Sequence, residues 1–393
     1  MCCGFLGIGT LFEQQLNVCM KLIPLAQVSS ILRAGVMLPW GVRDSKGTLL
    51  LSRGYMLVDD RAVEVLLERG VYVDASEVTS VGSNVEAIKD ERMTARWSAT
   101  EARLGTVLKT VSDPLFLPRL QDSITQIAGL ANGNIDLLIF LILRHDYSRP
   151  LQYGVIHSLH TAAICSLLSR RKSWDEPRRR SLIGAALTMN LGLLELQGSL
   201  AVRAGRPTEA EQKVIHQHPI VAADLLRATG LTDADWITAV EQHHEVSGGN
   251  GYPHKVAEPT EMARMLRFVD IFLAKHSPRA GRAPQPAHKA ARDLFTNSGG
   301  DPLAGLIIKE FGMYPPGAYV KLASSEVAIV TQRGATANAP VVMAITNKNG
   351  DPLSLPSRRD TSLANFKITA TVAEDLIRVR HSADALYEKN ANR

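Results

Sequence analysis

The chemistry in this chain concentrates in its eleven histidines, and their placement is uneven. Seven of them, from His157 to His254, fall in one stretch. His157, His218, His243 and His244, taken with Asp270, sit on or beside four different predicted helices. A helical bundle can turn such residues inward to a single metal centre. Imidazole and carboxylate suit zinc, iron, manganese and similar divalent ions. The bland alternative is that an inward histidine is only a core residue, which is the commoner case for any one of them taken alone.

The densest motif runs His243-His244-Glu245-Val246-Ser247-Gly248-Gly249-Asn250-Gly251-Tyr252-Pro253. Adjacent histidines on a helix point ~100° apart, so they share a site best near a helix end, where the chain turns. The glycines that follow permit tight backbone geometry and close approach of a ligand. Free N–H groups in such a loop can meet phosphate oxygens. Glu245 is equally readable as a support for the histidines or as a cap.

Positioning these residues falls to a run of helical segments between about 96 and 312. QDSITQIAGLANGNIDLLIFLIL, GVIHSLHTAAICSLLSRR, PRRRSLIGAALTMNLGLLELQ, TEAEQKVIHQHPIVAADLLRATG, DADWITAVEQHH and PTEMARMLRFVDIFLAKH carry apolar residues at mixed three and four spacing. Thr208 with Glu211 makes a capping-box pattern, Gly230 follows a helix end, and Pro259-Thr260 opens the helix that holds Asp270. Before this stretch, residues 36–75 read as a hairpin turning at Ser45-Lys46-Gly47 and a short helix ending at Gly70. After Pro315-Pro316-Gly317 the pattern turns to β-branched alternation, with Asn349-Gly350 as a turn signal. The expected fold is mainly α: a helical bundle with a small N-terminal α+β unit and a short β-rich C-terminal region. The expected boundaries are 1–75 for the N-terminal unit and its extension and 76–120 for a linker and helical connector. The bundle then covers 121–312 and the β-rich region 313–393.

The HHE–GYP run resembles the signature of HD-GYP proteins, a branch of the HD metal-dependent phosphohydrolases. The surrounding order is similar too: HS at 157–158, HP at 218–219, HHE–GYP, then VD at 269–270. The resemblance covers about residues 120–312, half the chain. It implies an HD-type helical domain and hydrolysis of cyclic di-GMP with two or three metals. It also implies that His157, His218, His243, His244 and Asp270 match ligand positions, with Gly251, Tyr252 and Pro253 forming the named loop. A basic segment near the substrate would be represented by Lys275, Arg279 and Arg282 as phosphate or partner contacts.

The chain also departs from that pattern. Where the family carries its HD pair, the sequence reads Ala186-Leu187-Thr188-Met189-Asn190-Leu191-Gly192-Leu193-Leu194. Met189 then stands at the histidine, Asn190 at the bridging aspartate and Leu193 at a phosphate-contacting lysine, while Leu273 stands where a second acid is common. An amide is a weak neutral ligand and a thioether prefers soft ions. The resemblance therefore implies at most one divalent ion (iron, manganese or zinc) at the His218, His243 and His244 half, and none if the site is fully degenerate. Tyr153, where some members carry a metal-binding Glu, argues against a third ion.

Three functions compete. One is a signalling module with weak or no phosphodiesterase activity that binds cyclic di-GMP, or docks a partner such as a diguanylate cyclase domain, through its GYP loop. Another is an active phosphodiesterase with a rebuilt site that uses the Asn190 carbonyl. The last is a structural scaffold. His145-Asp146 is a literal HD dipeptide before the HS block, near a Pro that suggests a helix end, and is read as a decoy. His160 and His216 are read as supporting or surface residues, and the Arg170–Lys172 and Arg178–Arg180 clusters as solvated helix ends.

Composition agrees with an ordinary globular protein. The chain has 393 residues, 45% hydrophobic and 21% charged, with a net charge of +5. That mild charge suits an anionic ligand without demanding a nucleic acid polymer. Four cysteines without a CxxC pair (Cys2, Cys3, Cys19 and Cys165) argue against a disulfide framework or a zinc ribbon and fit a cytoplasmic protein. The longest central apolar run, Leu137 to Leu143, is far short of the ~20 residues a bilayer needs, so no membrane insertion is expected. The N-terminus lacks a basic segment before its apolar stretch, which argues against a secretory signal, and Met1 and Met20 both stand as candidate starts.

Overall fold

The computed structural model describes residues 22–25, 32, 38, 40–51, 60–75, 92–145, 152–280 and 283–387. The expectations for residues 76–91, Asp146, Arg282, the three N-terminal cysteines and the alternative starts lie outside the described residues. The chain divides between residues 91 and 92 into two compact units.

In the first unit, strands β1 (Leu22–Pro24), β2 (Val42–Arg43), β3 (Leu49–Leu51) and β4 (Tyr72–Asp74) form an antiparallel sheet in the order β1-β4-β2-β3, with helix α1 (Asp60–Glu68) between the last two strands. The Asp44 carboxylate accepts the Lys46 and Thr48 N–H groups at 2.8 and 2.9 Å and so holds the β2–β3 turn, where Gly47 has φ +85°. Trp40, Val42 and Val73 are fully buried in this unit's own core.

The second unit opens with α2 (Met93–Val107), α3 (Phe116–Ala131), α4 (Ile135–Leu143), α5 (Tyr153–Arg171) and α6 (Glu176–Thr188). It continues through α7 (Leu194–Val202), α8 (Glu209–Ala228), α9 (Ala234–Gln242), α10 (Glu261–His276), α11 (Ala287–Asn297) and α12 (Pro302–Phe311). Helix α5 is buried on every side from Tyr153 to Ser169, as befits the central rod of a bundle rather than a surface helix with one apolar stripe. It packs against α3, α6, α7 and α10. The segment from Gln121 to Leu143 is two helices rather than one. Asn134 breaks it and caps α4 by accepting the Leu137 N–H at 3.0 Å. The Thr208–Glu211 capping box starts α8, and Gly230, with φ +87°, follows its end. Gly184 lets α6 approach α9 closely, because a Cβ there would overlap the Trp236 ring. Among the described residues no single helix is long and apolar enough to cross a membrane.

The C-terminal region is an antiparallel sheet of β5 (Tyr319–Leu322), β6 (Val327–Gln332), β7 (Val341–Thr346), β8 (Pro352–Asp360) and β9 (Ile368–Thr371), in the order β8-β7-β6-β5-β9. The stretch from Ala318 to Gln332 is two strands turning at Ser325, which has φ +70°. Strand alternation puts Tyr319, Ile329 and Met343 on one face, against Phe140 of α4 and Leu386 of the terminal helix α13 (Ala383–Tyr387). Val320, Val330 and Val342 line the other face. Arg333 ties this sheet to the bundle through ion pairs with Asp136 and with the buried Glu310, which also holds Arg171. The observed fold is the mainly α architecture expected, with strands confined to the two ends of the chain.

Candidate metal centre

His218, His243 and His244 offer ring nitrogens that all lie within 4.8 Å of one another. Two different helices bring them there. His218 sits in α8 directly before Pro219. A proline has no N–H, so the carbonyl four residues back, Ile215, loses its helical donor. The His218 Nδ1–H takes that place at 2.5 Å. His243 sits at the C-terminal end of α9, where the last four carbonyls have no partner within the helix. Its Nδ1–H donates to one of them, Val240, at 2.6 Å.

A carbonyl only accepts, so both Nδ1 atoms carry protons and both Nε2 atoms are left with bare lone pairs. Those two Nε2 atoms face each other 3.1 Å apart. No proton lies between them in the neutral rings, and the lone pairs repel unless a cation sits beside both. Two nitrogens bound to one tetrahedral zinc-type ion would lie ~3.4 Å apart, close to the spacing observed. The donor set fits a divalent ion on its own chemistry, with the second ring nitrogen of His218 and of His243 fixed by a backbone carbonyl.

Burial keeps these rings neutral. It pushes the His218 imidazole down to about 3, helped by the neighbouring His243, and it pulls His243 and His244 below their ordinary value as well. The sign of the resulting pH dependence is fixed. The unfolded chain takes a proton at His218 near pH 6.5 and the folded chain only near 3, so acid favours unfolding between the two. This contribution is full above pH 6.5 and falls by about 2 kcal/mol at pH 5 from His218 alone, at 1.36 kcal/mol per pH unit. His243, His244 and the buried His160 act in the same direction. Urea melts of the metal-free chain are expected to show a clear loss of stability from pH 7 to pH 5.

Next to the three rings lies a second pair. His157 Nε2 and the half-buried Asp270 are 2.7 Å apart, bringing α5 and α10 together. Burial alone would raise the Asp270 carboxyl, but the hydrogen bond and charge of His157, with His244 and His243 beyond it, hold it well below the usual carboxylate range. The same carboxylate acts electrostatically on His218, His243 and His244. Tyr153 stacks on His157 at 5.7 Å, and its hydroxyl accepts two bonds from Arg279 at 2.6 and 3.0 Å. Met189, Asn190 and Leu193 are all buried at and just beyond the end of α6, and the Asn190 Nδ2 has no hydrogen-bond partner among the described residues. Lys275 is half-buried on α10, five residues beyond Asp270.

The loop after the histidines is built around Glu245. Its fully buried carboxylate accepts the His254 and Val256 N–H groups at 2.7 and 3.1 Å, stapling the two ends of the loop. Gly251 crosses under it, and a Cβ at Gly251 would overlap the backbone of Glu245 and Val246. The Tyr252–Pro253 bond is cis, and the Tyr252 ring lies between His216 at 4.5 Å and His244 at 4.6 Å. Glu245→Ala would orphan two donors, an expected loss of about 3 kcal/mol in urea melts, with Glu245→Gln recovering roughly half.

Three further residues stand close to this site, two of them read from the sequence only as supporting or surface. His216, read as supporting or surface, is the outer ring against Tyr252. His160 is buried one turn from His157, stacked on Trp97 at 5.6 Å. Arg267, which sequence reasoning passed over, lies one turn before Asp270 and acts electrostatically on His243, His244 and Tyr252. The i, i+3 spacing from Asp270 is the signal that would have found it.

A model of the HD domain family matches residues 141–302. A cyclic di-GMP phosphodiesterase of Pseudomonas aeruginosa is 27% identical over 237 residues, covering 59% of this chain and 55% of that protein. These findings support an HD-GYP domain protein, with the HD domain at residues 141–302. A 3'3'-cGAMP-specific phosphodiesterase of Vibrio cholerae is 26% identical over 243 residues, 61% of the HD-GYP chain and 49% of that relative. The chain spans about half the length of these two curated relatives. Among solved structures, an HDG"Y"P protein from Bdellovibrio bacteriovorus aligns over 74% of the HD-GYP chain and 98% of its own, with a TM-score of 0.47 and 14% identity.

Proposed function

We propose that this HD-GYP protein acts in cyclic di-GMP signalling with one divalent ion at His218, His243 and His244 and weak or no phosphodiester turnover. In this reading it works by binding the nucleotide, or a partner such as a diguanylate cyclase domain, at the Gly251-Tyr252-Pro253 loop. The observation that carries the reading is the asymmetry of the site. Three imidazoles present an arranged donor set, with two Nε2 atoms facing at 3.1 Å, while Met189 and Asn190 occupy the stretch that resembles the HD pair.

A bound ion of this kind would polarise a phosphate oxygen and acidify a coordinated water. The chain's own residues do the rest. His218 and His243 hold their rings through Ile215 and Val240, His157 keeps Asp270 ionised, and Tyr252 closes the loop side of the His244 ring. Without a bridging carboxylate at position 190 and a cation at 193, the clamp on both the attacking and leaving oxygens is incomplete.

Isothermal titration with cyclic di-GMP and pull-down of diguanylate cyclase domains test this reading, and binding in neither assay would defeat it. A second reading, an active phosphodiesterase, draws support from Asn190. Its side chain is buried with the Nδ2 donor unpartnered, and in this reading the amide oxygen serves as a neutral ligand. Linearisation of cyclic di-GMP with added manganese or iron, lost in His243→Ala, would favour that second reading.

A further inference from the structure

Arg267 projects from the same face of α10 as Asp270, half-buried beside the histidine centre. Its electrostatic neighbours are Asp270, Tyr252 and Glu245, and it bears in turn on His243 and His244. Yet its charge is poorly matched. Among the described residues no carboxylate lies within ion-pair distance of the Arg267 side chain. Its one hydrogen bond, to the His244 carbonyl, is 3.5 Å long, at the outer limit of a useful bond. By contrast, Arg264 one turn earlier is paired with Asp301, and Arg279 is held by Tyr153. Glu245 is committed to the two backbone N–H groups of the loop, and Asp270 to His157. A guanidinium taken part-way out of water and given no anion by the fold is costly, and it has five donors set in a planar fork that matches a phosphate.

We propose that Arg267 receives a phosphate oxyanion beside the three-histidine centre, acting as a fixed cation that favours an anionic ligand there and opposes the local build-up of metal charge. A purely structural role, bracing the loop through His244, would rest on a single 3.5 Å contact and would leave most of the donors without purpose. The inference deepens the cyclic di-GMP reading by naming the residue that grips a phosphate, but it concerns the oxyanion and not the base.

The test uses the full chain loaded with one equivalent of manganese, titrated with inorganic phosphate and separately with cyclic di-GMP. It also measures manganese affinity for the unliganded chain. Arg267→Gln is expected to weaken phosphate binding by about thirtyfold and to tighten manganese binding several-fold. Arg267→Lys, which keeps the charge but not the fork, should leave manganese affinity unchanged and weaken phosphate by only a few-fold. The opposite signs separate this from misfolding, which lowers both affinities. Equal phosphate affinity in wild type and Arg267→Gln, or parallel loss of phosphate and metal, would overturn the inference. Arg267-dependent phosphate binding with no cyclic di-GMP binding upholds the inference and removes the nucleotide reading. Cyclic di-GMP binding that ignores Arg267→Gln does the reverse, and a wild type that binds neither ligand ends both.

Discussion

His243→Ala is expected to lower divalent-ion affinity on the order of a thousandfold, the consequence of removing one nitrogen donor from a three-donor site. His243 is the hinge of the cluster. Its ring lies 4.1 Å from that of His244, and its Nε2 is the atom that faces His218. Removing it leaves His218 with its tautomer still fixed by Ile215 but with only His244 to share an ion. The measurement is equilibrium dialysis against manganese and zinc, read by elemental analysis, beside a thermal melt of the metal-free variant. His243 is fully buried, so some stability is lost with the cavity. A second variant, His244→Ala, whose residue is half-buried, should weaken the ion with a smaller stability cost. Unchanged ion affinity in both would remove these rings from the metal centre.

The second large effect is a gain. On the proposed reading, Met189→His with Asn190→Asp adds an imidazole and a carboxylate to a neighbourhood that already holds the His157–Asp270 pair. Met189 and Asn190 are 0% and 3% exposed, so the changes act inside the protein and not on its surface. A carboxylate can bridge two cations where an amide cannot. The variant should bind two ions per chain and hydrolyse cyclic di-GMP at least a hundredfold faster than the parent, as a two-metal clamp supports both oxygens of the displacement. Before metal is added, the carboxylate introduced at position 190 is a buried charge without a partner. The metal-free variant should therefore melt at lower temperature, and added manganese should reverse this. A variant that stays at one ion with no rise in rate would separate positions 189 and 190 from any metal site.

Much of the bundle was legible because its signals are local. The Thr208–Glu211 box, the Thr260 cap and the glycine after α8 act within a turn of where they are read, whereas the cap at Asn134 was missed inside a longer apolar run. The histidine cluster was legible as residue types on separate helices. Its tautomers were readable in principle, since Pro219 alone frees the Ile215 carbonyl for His218. What stayed hidden depends on which helix face turns inward. Arg267 follows from the register of α10 against the loop, the Arg279–Tyr153 bond joins groups 126 residues apart, and the burial of His160 comes from a central helix surrounded on all sides. Glu245 could be read two ways from sequence, and its two bonds to the far end of the loop make it the staple of the GYP turn.

The most direct measurement is the number and position of ions in a crystal of the full chain grown with manganese, read by anomalous scattering. The account predicts one peak bounded by His218, His243 and His244. Two peaks sharing a ligand near Asn190 would contradict it.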